Sequence, residues 1–368
     1  MKSILSSFGL LLLLSTLIFA CKDGEGYPPS YTIPTSYDFE NVNYSGQTQR
    51  LQMFGELKAY MNSARTSGIT LDANRLAGMF ANDANLAQWT GTYESSKQLR
   101  DKTLSAVQAD FDALLAELAN ASASTLPGTN GQSGRITSLD GTKTYLVGDD
   151  GLDHAQLVEK GLMGACLYYQ ATSVYLGPDK MNVDNETITP GEGTTMEHHW
   201  DEAFGYLGVP VDFPSNTDGL LFWGSYSNQR NDLLNSNQLL MDAFLAGRAA
   251  ISNNDLIERD KAIETIRTEW ERIAVGSVLH YINSGIANFD DMALRAHSLS
   301  EGIGFLYALQ FNTEKSISND QINELLVLVA GASKLDEMNL YQASTANLQT
   351  AKDKLAAYYK LEALKDSF

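Results

Sequence analysis

Apolar residues recur at helical spacing along almost the whole chain, and this periodicity limits the possible folds more than any other feature. Leu51, Phe54, Leu57, Lys58 and Met61 follow the spacing of one helix face. The pattern returns over 99–118, 155–175, 229–250, 256–284, 292–311, 322–330 and 346–361. Eight such amphipathic segments with few strand signals predict an all-α protein. One exception lies at 135–147, where Ile136, Leu139, Tyr145 and Val147 flank Asp140-Gly141-Thr142. Asp-Gly suits the positive φ angles of a two-residue hairpin turn, so one short β-hairpin is expected there, entered through a loop over 120–134. An irregular stretch at 176–195, with Pro178, Pro190, Gly191 and Gly193, separates an N-terminal helical half (45–175) from a C-terminal one (176–368). A further irregular stretch, 208–219, carries Pro210 and Pro214. The expected architecture is a two-halved helical bundle with one hairpin insertion.

The first residues predict export. Lys2 precedes an apolar run from Ile4 to Phe19, then Ala20 and Cys21, which reads as a signal peptide over 1–20. Leu17-Ile18-Phe19-Ala20-Cys21 resembles a bacterial lipobox, whose cysteine takes a lipid and becomes the mature N-terminus. Acyl chains contribute roughly 0.8 kcal/mol per buried CH₂, so lipidated Cys21 would hold the protein on membrane lipid. Lys22-Asp23-Gly24-Glu25 looks like the charged signal that sends Bacteroidota lipoproteins to the cell surface. Residues 21–44, aperiodic and rich in Pro, Tyr, Ser and Thr from Tyr27 on, read as a lipid-anchored tether and lead-in. The expected location is the outer membrane, on its periplasmic or its outer face.

Charge and cysteine content narrow the chemistry. With 26 Lys+Arg against 45 Asp+Glu the chain carries −19, which excludes nucleic acid as a default partner and favours tolerance of cations. Beyond Cys21 only Cys166 remains, in an apolar helical run, so no intramolecular disulfide forms and the thiol is expected to be buried and inert.

There are five histidines, and two of them are adjacent in Glu197-His198-His199-Trp200-Asp201-Glu202. On a helix Glu202 lies one turn from both. His297-Ser298-Leu299-Ser300-Glu301 repeats the arrangement, and the residues from Glu202 to Leu207 match those from Glu301 to Leu306 at Glu, Gly, aromatic and Leu. This weak internal repeat suggests two similar helices facing one another. If they meet, His198 or His199, Glu202, His297 and Glu301 supply two imidazoles and two carboxylates, a donor set that bundles use for transition metals. The alternative is that these residues are hydrogen-bonded inside the bundle or lie on its surface. No His-Glu-x-x-His or Cys-x-x-Cys run points to a standard zinc site, and Asp149-Asp150-Gly151 lacks calcium-loop spacing. His154 is expected at a helix start, His280 packed or at a solvent edge, and Trp89, Trp200, Trp223 and Trp270 in the core.

The run from Glu197 to Tyr206 resembles the imelysin-like proteins, and specifically a Bacteroidota lipoprotein branch, domain of unknown function family 4856. The pieces Pro34–Phe39 and Glu159–Ala165 look like the same branch. The resemblance implies an all-helical protein whose two bundle-like halves pack as one domain. It also implies a His-x-x-Glu motif linked first to a metallopeptidase and later to periplasmic iron uptake. That motif falls on His199 and Glu202, although the usual form has glycine where this chain has Glu197; the repeat aligns on His198 instead, and both histidines stay in play.

The expectation is a membrane-anchored binding protein that holds a metal ion, iron before zinc, or an iron-bearing ligand. Its site would be drawn from His199, Glu202, His198, His297 and Glu301, with an outer-membrane transporter as candidate partner in nutrient or iron uptake. Two alternatives remain. One is a metallopeptidase with Glu202 as general base toward a metal-bound water; the other is a non-catalytic scaffold or partner-binding lipoprotein whose histidines are structural.

Overall fold

The longest helix organises the fold: α9 (Leu256–Ala287) starts at Asp255, whose side chain accepts from Glu258 N, and buries Ile263, Ile266, Trp270 and Ile273 at steps of three and four. The computed structural model describes residues 29–368, so the signal-peptide and Cys21 assignments lie outside the described residues. No helix among the described residues is long and apolar enough to cross a membrane. Residues 33–368 form one compact unit of helices with a single two-stranded hairpin.

In chain order α1 (Ser45–Ser63), α2 (Ala73–Ala81) and α3 (Gln108–Ser122) precede the hairpin strands β1 (Gly134–Thr137) and β2 (Thr144–Val147). Then α4 (His154–Leu162) winds on through π-type turns, Met163–Tyr168 and Gln170–Tyr175, before α5 (Pro178–Met181) and α6 (Thr195–Gly205). The chain continues through α7 (Trp223–Leu234), α8 (Ser236–Ser252), α9, α10 (Met292–Ala308), α11 (Asn319–Ala330) and α12 (Thr345–Tyr358). The long helix lies between α8 and α10, and α10 in turn packs on α4, which joins early and late parts of the chain through one core. Trp200, Trp223 and Trp270 are fully buried as expected, whereas Trp89 is half-buried with its indole donating to Asn82.

The structure departs from the periodicity in three places. The segment 229–250 is two helices, because Asn235 takes a left-handed conformation (φ 52°) and serves both as the end of α7 and the start of α8. Asparagine reaches this region at low cost, which apolar spacing does not register. The segment expected from 99 begins as an α-helix only at Gln108, after extended residues at Thr103 and Leu104. The short α2 has no counterpart among the periodic segments.

The hairpin is present, with Gly134 opposite Val147 and Thr137 opposite Thr144, but its turn is longer than two residues. Ser138 N donates to Lys143 O (2.9 Å) across Leu139–Thr142, and Gly141 alone adopts positive φ (74°). The Asp140 carboxylate instead accepts from Ser138 Oγ (2.6 Å), Thr142 N (2.9 Å) and Thr142 Oγ1, a side-chain cap that replaces the tight turn. The lead-in also does more than connect. Tyr37 is buried, stacks on Phe204 at 3.7 Å, and its amide donates to Val211 O (2.8 Å), so this part of the segment belongs to the folded body.

Candidate functional site

The histidine motif sits on α6. Thr194 caps the helix: its Oγ1 accepts from Glu197 N (3.2 Å) and Glu197 Oε2 accepts from Thr194 N (2.9 Å). One turn on, Asp201 shares Arg248 of α8 with Glu197; Arg248 Nε donates to Asp201 Oδ1 (3.0 Å) and Nη1 to Glu197 Oε1. Tyr37 Oη also donates to Asp201 Oδ1 (2.8 Å). Burial pushes the Asp201 carboxyl up to about 6, against the pull of Arg248. Trp200 donates its indole N–H to Phe244 O (3.1 Å). Three of the six motif residues therefore pin α6 to α8 and the lead-in.

His199 and His198 part ways. His199 is buried; its Nδ1 bonds Lys180 O (3.0 Å), and Nε2 lies 3.4 Å from Lys180 Nζ. A carbonyl on Nδ1 fixes the proton there and leaves Nε2 to accept from the ammonium. Burial keeps this imidazole below its ordinary pKa, and thus neutral. His198, half-buried, has Nε2 3.9 Å from Glu202 Oε2, while its buried Nδ1 has no partner among the described residues. Glu202 Oε1 accepts from Gln47 Nε2 (2.9 Å) and Tyr175 Oη (3.0 Å). His198 and Glu202 face a recess of about 220 Å³ that is also lined by Gln47, Arg50, Lys97 and Lys102.

The second motif is held differently. His297 Nδ1 bonds Asp153 Oδ2 (3.0 Å), its ring stacks on Tyr145 of β2 at 4.1 Å, and Nε2 lies 3.8 Å from Glu301. Glu301 meets Lys160 Nζ (3.2 Å) and, with its amide turned to suit, Gln156 (2.8 Å), whose oxygen accepts from Arg65 (2.8 Å). Lys160 also pairs with Glu159 (2.6 Å), which Lys58 reaches from outside (2.8 Å). Burial opposes both charges of the inner pair, yet Lys160 and Lys58 hold Glu159 below the usual carboxylate range, and Glu159 and Glu301 hold the Lys160 ammonium above its own. This is a closed polar network inside the α4–α10 contact.

The expected meeting of the two motifs is not made. The helix bearing His198 and His199 packs against α1, α5, α8 and the second π-type turn, and α10 against α4, α9 and α11. Cations occupy positions a metal would need: Lys180 stands at His199 and Lys160 at Glu301. Among the described residues no group of three or more His, Cys, Asp or Glu side chains is arranged to hold a metal ion. As placed, His199, Glu202, His198, His297 and Glu301 do not form one ligand set.

The other expected residues fall as follows. His154 opens α4 after the capping Asp153; burial lowers its affinity for a proton, but Asp150 at 3.2 Å and Glu117 outweigh that and raise its pKa. His280 is half-buried, and burial lowers its pKa. Cys166 is buried, which pushes its thiol up to about 12, far from a nucleophile. Sequence reasoning misses Arg50, Lys102, Lys160, Arg248 and Asp153. Lys160 and Arg248 carry a usable signal, a charge inside an apolar helical run; Arg50 and Lys102 carry none.

A cavity of about 650 Å³ runs along Arg259, Ile263 and Arg267 and holds none of the motif residues. Its arginines are satisfied by the protein, Arg259 by Asp260 (2.7 Å) and Met181 O (2.7 Å), and Arg267 by the carbonyls of Thr172 and Leu176. The smaller recess beside His198 keeps unsatisfied polar groups and is the better candidate site. No curated protein and no solved structure matches this chain. One family pattern matches residues 34–361, nearly all of the folded body, and the chain therefore belongs to the family described as Domain of unknown function (DUF4856).

Proposed function

We propose that the chain is a lipid-anchored, non-catalytic binding protein of the outer membrane, acting in nutrient or iron uptake, with its ligand site in the recess between His198, Glu202 and the first turns of α1. The observation that carries this reading is an open recess lined by His198 and Glu202 together with the cations Arg50, Lys97 and Lys102. Elsewhere the motif residues are satisfied by protein groups, as structural residues are. Lipidation of Cys21 and the kinship with imelysin-like lipoproteins of the Bacteroidota are part of the same proposal and rest on the lipobox and on the α6 motif. Iron, where it is the cargo, arrives as an iron-bearing ligand rather than a bare ion, because cations stand on two of the motif side chains.

Titration of the full chain in detergent with ferric citrate, Fe²⁺ and Zn²⁺, followed by calorimetry and elemental analysis, tests the reading. The expected result is stoichiometric retention of the ferric chelate, lost in His198→Ala/Glu202→Gln and kept in His297→Phe. Retention that is indifferent to the first pair, or lost only with His297, would overturn it. So would cleavage of a protein substrate abolished by Glu202→Gln and by chelator, which would make the protein a peptidase.

A further inference from the structure

The recess beside His198 is cationic in a chain that is strongly acidic overall. Arg50, Lys97 and Lys102 line it against Glu192 at its rim and Glu202. Arg50 is only 5% exposed. Its Nε donates to Gln98 O (2.9 Å) and its Nη1 to Gly46 O (3.3 Å), while Nη2 has no acceptor among the described residues. Lys102 is half-buried; among the described residues its Nζ has only the Tyr175 hydroxyl (3.4 Å) and ring (5.7 Å to the centroid). Among the described residues neither cation has a carboxylate within 4.0 Å, although charges this poorly hydrated ordinarily do. The Lys102 ammonium is held below its ordinary pKa, first by burial and then by the neighbouring Arg50. Lys97 reaches Glu94, at 3.6 Å.

Asp101 and Glu202 act on Lys102 only from a distance, short of an ion pair. Glu202 Oε1 is taken by Gln47 and Tyr175 and its Oε2 faces His198. The first turn of α1 adds positive potential, since it holds no acid and Tyr44 supplies no side-chain cap. Its Gly46 leaves room for the cations: a Cβ there would lie 3.3 Å from Arg50 Nη1 and 3.4 Å from Lys97 Nζ.

We infer that this recess binds a small ligand through anionic oxygens, carboxylate or phosphate, taken by Arg50 Nη2, Lys102 Nζ and Lys97 Nζ, with His198 as part of the wall. The inference rests on the reading of the recess as the ligand site and deepens it. The anion supplies the counter-charge that the fold withholds from Arg50, and a recess of about 220 Å³ suits a group the size of phosphate or a short carboxylic acid.

The test is calorimetric titration of the full chain in detergent with inorganic phosphate, with citrate, and with Zn²⁺ as the cationic control, at low and at moderate salt. One or both anions bind, which names the source; affinity falls about tenfold or more in Lys102→Met and weakens with salt, while Zn²⁺ gives no recess-dependent heat. Arg50→Met is expected to abolish binding; because Arg50 is buried and its loss could unfold the protein, the variant at half-buried Lys102 is the decisive one. Zn²⁺ binding that is lost in Glu202→Gln, with neither anion bound, would overturn the anion inference and leave the recess as a site. No binding of any probe, or anion binding unchanged in Lys102→Met, overturns the inference; the first of these, together with failure of the ferric chelate to bind, also removes the recess as a ligand site.

Discussion

Replacing Arg248 by methionine tests what holds the motif helix in place. Arg248 is 1% exposed and Asp201 0%, so the pair is desolvated on both sides. The substitution removes the bond to Asp201 Oδ1, the bond to Glu197 and a contact over the Phe39 ring at 5.1 Å. Asp201 keeps only Tyr37 Oη and a longer bond from Asn43 N (3.4 Å). Removing one partner of a buried ion pair costs about 3–5 kcal/mol, since the other charge is stranded. Glu197 loses its charged partner too but keeps Ser252 Oγ (2.6 Å) and Thr194 N (2.9 Å), so the stranded Asp201 accounts for most of the cost. Asp201→Asn in the same background removes the stranded charge, so the double variant recovers stability and the coupling is at least about 2 kcal/mol.

The penalty depends on pH with a definite sign. The Asp201 carboxyl is already pushed up to about 6 by burial, and loss of Arg248 removes the group that pulls it down. A carboxyl raised in the folded state contributes stability at low pH that is lost as pH rises through its folded value. Arg248→Met is therefore less destabilised at pH 5 than at pH 8, by about 1.4 kcal/mol for each further unit of upward shift. Urea unfolding followed by tryptophan fluorescence at the two pH values measures it, with Trp200 in the adjoining position. Equal penalties at both values, or additive single effects, would refute the idea that a charged pair anchors α6.

Three further outcomes follow from the geometry. Gly247→Ala puts a methyl 2.1 Å from Trp200 Cη2 and 2.9 Å from the Ala262 methyl, so the α6–α8–α9 packing must give way; a loss of about 1–3 kcal/mol or more is expected in the same unfolding assay. Thr194→Ala removes the cap of α6 and lowers stability by about 1 kcal/mol, with Thr194→Ser retaining most of it. His199 has a pKa depressed by burial, helped by the Lys180 and His198 charges and opposed by the Lys180 carbonyl and Glu202, so the unfolded chain takes up a proton near the ordinary histidine value that the native chain refuses. That stability is present above pH ~6.5 and lost as pH falls below it, so the drop in Tm between pH 7.5 and pH 5.5 should be smaller in His199→Gln than in the native protein.

Much of the fold is legible because burial on helices writes a 3.6-residue period into sequence, as in Ile263, Ile266, Trp270 and Ile273. The period says nothing of backbone exceptions, so Asn235 hides the break between α7 and α8, and the side-chain cap of Asp140 stands where a two-residue turn is expected. The Glu-His-His-Trp-Asp-Glu run stands out in the sequence, but its chemistry divides by helix face. Glu197 and Asp201 face Arg248, His199 faces Lys180, and only His198 and Glu202 face the recess. The likeness between 202–207 and 301–306 suggests two facing helices, yet each motif is completed by a different neighbour, Gln47 and Tyr175 for one, Asp153 and Lys160 for the other. Those partners come from distant parts of the chain, and single-sequence spacing carries no record of them. Arg50 and Lys102, which decide the charge of the recess, are invisible for the same reason.

The most direct measurement is an experimental structure of the full chain determined with citrate or phosphate present. The anion is expected in the recess, within hydrogen-bond distance of Lys102 Nζ and Arg50 Nη2. The opposite result, with Glu192 or Glu202 turned inward to pair with Arg50 and Lys102, would leave a self-neutralised recess with no place for a ligand and contradict the proposed site.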